Sequence, residues 1–105
     1  MTKAVMYWDR LRIDVEGHAG AGEVGQDIVC AAASMLINAL AGVLEEAEER
    51  GRMQYGFKTE DGKASVYANP NLGYLNEAKA YFRMCVKGFR MLAKEYPRNV
   101  DIKEV

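Results

Sequence analysis

Residues 11–44 read LRIDVEGHAGAGEVGQDIVCAAASMLINALAGVL, and the change of period inside this stretch decides the fold. Leu11, Ile13 and Val15 alternate with Arg12, Asp14 and Glu16, the period-two pattern of a half-buried strand. Four of the ten glycines (Gly17, Gly20, Gly22 and Gly25) then fall within nine residues, around the only histidine, His18. Asp27 suits a helix N-cap, because its carboxylate can accept from backbone N–H groups that a first turn leaves unpaired. From Ile28 to Leu44 is an apolar run of 17 residues, at the lower edge of a membrane span. It carries Ser34, Asn38 and Gly42, and charges follow closely at Glu45 and Glu46. A buried core helix is therefore the better reading, with Gly51 as its C′ residue. Being apolar on nearly every side, this helix calls for a sheet on one side and a second helix or a partner subunit on the other.

Outward from this stretch, residues 3–8 predict a first strand, with Asp9-Arg10 as the turn into the second. Downstream, Met53, Tyr55 and Phe57 alternate with Arg52, Gln54 and Lys58. Asp61-Gly62 is a hairpin signal, and residues 64–68 are the return strand. Pro70 ends that pattern. A second helix runs from about Tyr74 to Tyr96, with Ala78, Tyr81, Phe82, Cys85, Phe89 and Leu92 at three-and-four spacing. Pro97 stops it, and Val100 and Ile102 suggest a last short strand. The order is β-β-α-β-β-α-β, which predicts an α+β fold with a mostly antiparallel sheet packed against two long helices.

The chain of 105 residues, half of them hydrophobic and 28% charged, fits a single globular domain over residues 1–105. Lys and Arg number 14 and Asp and Glu 15, so no basic field favours nucleic acid, and no direct nucleic-acid or membrane binding is expected. Two cysteines do not make a disulfide scaffold. No basic-then-apolar leader opens the sequence, which argues against secretion.

The chemistry concentrates where strand gives way to helix. With Asp27 as N-cap, Cys30 is N3, in a first turn whose positive end favours a thiolate. His18 lies on a glycine-rich loop that must return to the same helix end, within reach to take the thiol proton and later return it to a leaving amine. The N–H groups around Val29 and Cys30 are candidates for stabilising an oxyanion. Ser34 and Asn38 follow Cys30 at four-residue steps and share its face. Blander roles exist for each. A cysteine in an apolar helix is usually inert filler, and spacing alone leaves filler and nucleophile evenly matched. Asp27 is an N-cap first, and a mid-helix serine commonly bonds back one turn. Cys85 lies on the apolar stripe of the second helix and reads as core. Gly20-Ala21-Gly22-Glu23-Val24-Gly25 matches G-x-G-x-x-G, but the strand ends well before it. Glu23 and Asp27 would also put negative charge where a pyrophosphate should sit. One histidine and scattered carboxylates lack metal-ligand spacing, so neither metal nor cofactor is expected.

Gly17-His18-Ala19-Gly20, followed by Gly25-Gln26-Asp27-Ile28-Val29-Cys30-Ala31-Ala32 and Ser34, resembles the signature of the bacterial ribosomal-processing cysteine proteases, the Prp family. The Tyr96-Pro97 ending of the second helix and the short strand after it resemble that family's tail. The resemblance implies a cysteine endopeptidase with a His/Cys dyad. Such an enzyme removes a short N-terminal extension from a large-subunit ribosomal protein, number twenty-seven of that subunit. Residue by residue, it makes Cys30 the nucleophile, His18 the general base and acid, and Asp27 and Ser34 supporting positions. Gly17, Gly20, Ala21, Gly22 and Gly25 become a flexible loop that orders over substrate. It further implies a cytoplasmic homodimer in a bacterium. Where the family commonly has an aromatic and then alanine after Gly-His-Ala-Gly, this chain has Ala21-Gly22, and the first hairpin is tighter. These departures keep two alternatives open: a paralogue processing phage capsid or scaffold proteins, and a non-catalytic peptide-binding or assembly module of the same fold.

Overall fold

The computed structural model describes residues 1–18, 20 and 27–105. Its elements are β1 (Thr2–Tyr7), β2 (Arg12–Glu16), α1 (Ile28–Glu49), β3 (Met53–Glu60), β4 (Lys63–Pro70), α2 (Leu75–Glu95) and β5 (Val100–Glu104), in the order the sequence predicts. The strands form one sheet in the order β3-β4-β2-β1-β5. Three of its pairings are antiparallel (β1 with β2, β2 with β4, β3 with β4). The fourth joins β1 to β5 in parallel, with Thr2 opposite Val100 and Met6 opposite Glu104. The expectation of a mostly antiparallel α+β fold is met.

Alternation decides which side of the sheet is covered. Ala4, Met6, Ile13, Val15, Val66 and Ala68 are buried, and the intervening Lys3, Arg12, Asp14 and Tyr67 are not. Both helices pack onto the buried face, and their inward residues join the sheet's in one core. From α1 come Val29, Ala33, Ile37, Leu40 and Leu44; from α2 come Ala78, Phe82, Cys85, Val86 and Phe89. Fully burying a Val, Leu, Ile or Phe side chain stabilises the fold by roughly 1.5–3 kcal/mol. The helices lie side by side in one layer, so α1 is flanked by sheet and by α2 and is not roofed over. Ile28 and Met35 on its outer side stay 67% exposed. By length and hydropathy α1 would also suit a membrane, but a third of that apolar window is buried inside the fold.

Local chemistry sets the ends of α1. The Asp27 Oδ1 accepts from the backbone N–H groups of Val29 and Cys30, both at 3.0 Å. At the other end Gly51 has φ +71°. Its N–H donates to the Glu48 carbonyl at 2.9 Å and the Arg52 N–H to that of Ala47 at 3.0 Å, the paired bonds of a Schellman motif. The β3–β4 hairpin turns on Asp61-Gly62, with Glu60 paired to Lys63 and Gly62 at φ +73°. The first turn differs from its two-residue prediction. It spans Trp8 to Leu11, and Leu11 adopts φ +45° instead of opening the strand. Period alone could not separate these possibilities, because Leu11 is buried in either case. Its carbonyl accepts from the Ala68 N–H at 3.0 Å, which anchors the turn on β4.

Candidate active site

A cleft of about 240 Å³ opens where the end of β2, the start of α1 and the tip of the β3–β4 hairpin converge. Cys30, Ala33, Ser34, Ile37 and Asn38 line it from α1, and Gly17 and His18 from the end of β2. The hairpin contributes Phe57, Thr59, Glu60, Gly62, Lys63 and Ala64, while Thr2 and Val15 belong to β1 and β2. Val15, Ala33, Ile37 and Phe57 give the lining an apolar part, beside the polar Thr2, Ser34, Asn38, Thr59, Glu60 and Lys63.

The single histidine and the thiol of the first helical turn thus border one cleft, although twelve residues separate them in sequence. His18 is exposed and Cys30 is half-buried. Ser34 lines the cleft one turn beyond Cys30, and its carbonyl accepts from Asn38 Nδ2 at 2.8 Å. Asp27 does not line the cleft. Its carboxylate caps α1, and its carbonyl takes the Ala31 N–H at 3.1 Å. This corrects one expectation: the Val29 and Cys30 N–H groups are engaged by Asp27 and are not presented to an oxyanion. The same carboxylate sits at the positive end of the helix and offsets its field there. Of the expected substrate loop, Gly17 borders the cleft and Gly20 has φ +70°, while Ala21, Gly22 and Gly25 lie outside the described residues.

Gly17 is fixed by its surroundings. It has φ +89°, and a Cβ there would stand 2.2 Å from the Met1 carbonyl oxygen. Its N–H donates to the Gly62 carbonyl at 2.8 Å, tying the residue before His18 to the hairpin tip. The sequence pointed to Asp61-Gly62 only as a turn and gave no sign that it would face the histidine. Glu60, Lys63 and Thr59 enter the site in the same way, through tertiary placement alone. Thr2 is a further addition: it is 2% exposed, and its Oγ1 has no hydrogen-bond partner among the described residues. Cys85 lies elsewhere, 3% exposed in the core, where burial pushes its thiol up to about 12. Among the described residues no group of three or more His, Cys, Asp or Glu side chains is arranged to hold a metal ion.

An α+β frame that sets a thiol at a helix start and an imidazole along one cleft suits cysteine-protease chemistry. The family model described as cysteine protease Prp matches residues 1–101, and the chain belongs to that family. Several solved structures share the fold. The ribosomal processing protease Prp from S. aureus, in complex with a covalently linked product peptide, is 21% identical, with a TM-score of 0.80 and 100% of both chains covered. The S. aureus protease in complex with a substrate peptide is 20% identical at a TM-score of 0.73, again over 100% of both chains. SMU.848 from Streptococcus mutans is 24% identical at a TM-score of 0.68, over 99% of this chain and 91% of that one. No curated protein matches the chain.

Proposed function

We propose that the protein is a processing endopeptidase in which His18 and Cys30 form the catalytic dyad. The observation that carries this reading is the shared cleft, which the only histidine and the helix-start thiol both line. In the reaction, His18 accepts the Cys30 proton as the sulfur attacks the scissile carbonyl. His18 then returns that proton to the leaving amine, and a thioester to Cys30 remains. A water molecule, deprotonated by His18, hydrolyses the thioester and restores the thiol. Ser34 supports the arrangement from the cleft wall. Asp27 supports it indirectly, by holding the first turn on which Cys30 stands. Gly17, Gly20, Ala21, Gly22 and Gly25 form the loop over bound peptide.

The substrate is the N-terminal extension of a large-subunit ribosomal protein, number twenty-seven. Membership of the Prp family and the peptide-bound S. aureus relatives support this choice. The same reading places the enzyme in the bacterial cytoplasm as a homodimer, with exposed Ile28 and Met35 on α1 available to a second copy.

Mass spectrometry of that N-terminal peptide after incubation with the protein tests the assignment. Cleavage by the native protein and none by Cys30→Ala is expected. Equal cleavage by both removes Cys30 from the mechanism. His18→Ala is expected to lower kcat by about 10²–10⁴-fold, the usual worth of a positioned acid–base group.

A further inference from the structure

The His18 imidazole meets the tip of the β3–β4 hairpin. A Cβ at Gly62 would lie 3.5 Å from His18 Nε2, so the ring stands just beyond the space that a methyl group at this position would fill. A second link fixes the same two segments. The Gly17 N–H donates to the Gly62 carbonyl at 2.8 Å, which holds the backbone just before His18 against the turn. Gly62 itself is set by the Glu60–Lys63 pairing and by its positive φ of +73°. The hairpin tip is therefore tied to the backbone beside His18, whose side chain is exposed.

We propose that Gly62 is a positioning residue for the proposed dyad, holding Gly17 through its carbonyl and leaving room for the His18 ring through its missing side chain. This inference rests on the assignment of His18 and Cys30 above. A methyl group at residue 62 would only touch the imidazole, whereas a longer side chain would occupy the ring's place. Gly62 makes no contact with substrate in this role and acts through His18. Among the described residues, the titratable side chains that line the cleft besides His18 and Cys30 are Glu60 and Lys63, both on the same hairpin.

The test uses Gly62→Asn with Gly51→Asn as its control. Both glycines have nearly the same backbone angle, +73° and +71°, and asparagine tolerates that region. Only Gly62 faces the histidine; a Cβ at Gly51 meets open space. The rate of Cys30 alkylation by iodoacetamide is followed from about pH 5 to 9, beside His18→Ala and the native protein, in the range where imidazole titrates. Gly51→Asn should reproduce the native profile. Gly62→Asn should fall at least tenfold near neutral pH and take on the His18→Ala shape, with a melting curve like that of Gly51→Asn. A native-like profile for Gly62→Asn beside an altered one for His18→Ala overturns the role of Gly62 alone. A native-like profile for His18→Ala overturns the dyad and this role together. NMR of the native protein supplies a check that does not depend on the variant folding. The single imidazole should show a nuclear Overhauser contact to the Gly62 Hα protons, and absence of that contact overturns the inference.

Discussion

Asp27 and Gly17 are two residues of the sequence motif whose work is backbone work. Asp27 accepts two N–H groups at the start of α1. Asp27→Ala should therefore cost about 1 kcal/mol, the usual loss when a cap is removed, and lower Tm accordingly. Asp27→Asn, also a good cap, should retain both stability and peptide hydrolysis. Loss of hydrolysis in a fully stable Asp27→Asn would mean that the carboxylate's charge acts on His18 directly. Gly17 is more constrained, because both its φ of +89° and the Met1 carbonyl 2.2 Å from its Cβ position exclude a side chain. Gly17→Ala should destabilise by roughly 1–3 kcal/mol, the usual cost of one strained residue, as read from chemical denaturation. A Gly17→Ala protein of native stability would show that the chain start yields freely. Spacing alone left the thiol evenly matched between filler and nucleophile, and the family resemblance of the motif gave its residues their roles. Their partners were not legible. Nothing about Gly62, Glu60 or Thr2 in the sequence says that these residues border the cleft, because hairpin tip and strand end meet it only after the sheet closes.

Among the elements, α2 shows how much can be read from period alone. Of the residues picked out by three-and-four spacing, Ala78, Phe82, Cys85 and Phe89 are buried and Tyr81 and Leu92 are half-buried. Gly88 lets α2 approach α1, with Leu36 filling the space a Cβ would need, and the Cys85 Sγ lies 3.8 Å from the Leu36 carbonyl. Because burial pushes the Cys85 thiol up to about 12 from its ordinary 9, the folded protein keeps a proton there that the unfolded chain loses. Stability from this group is thus complete below pH 9 and falls as pH rises from about 9 towards 12. Denaturation of native protein and Cys85→Ala across that alkaline range should show a steeper decline in the native protein. Parallel declines would mean that Cys85 does not titrate on unfolding. Under native conditions near neutral pH, iodoacetamide should label Cys30 and spare Cys85, as a mass map of the peptides would report. Period failed at Leu11, where a buried side chain fits either a strand start or a left-handed turn residue. The positive φ of Leu11, +45°, distinguishes them.

At the scale of the molecule, the order of elements was readable but their lateral arrangement was not. Antiparallel neighbours follow from hairpin signals such as Asp61-Gly62, yet no local signal places β5 beside β1. That parallel pairing rests on Thr2 opposite Val100, on the Thr2 N–H bond to the Asn99 carbonyl at 2.8 Å, and on Glu104. Glu104 accepts from the Trp8 indole at 2.7 Å and forms an ion pair with Arg90. The apolar character of α1 was explained only in part by sheet and α2, and its exposed Ile28 and Met35 support the proposed homodimer. Met35→Glu together with Ile28→Glu should shift sedimentation to the monomer without unfolding the protein. A dimer that persists places the interface elsewhere.

The β1–β5 pairing also joins distant parts of the sequence at the site. Thr2 lies in the cleft wall and sits opposite Val100. Contacts of such long sequence separation carry a large loop-closure cost and slow folding. One wall of the cleft thus depends on a strand far away in sequence, and its shape is a property of the closed sheet and of no local segment.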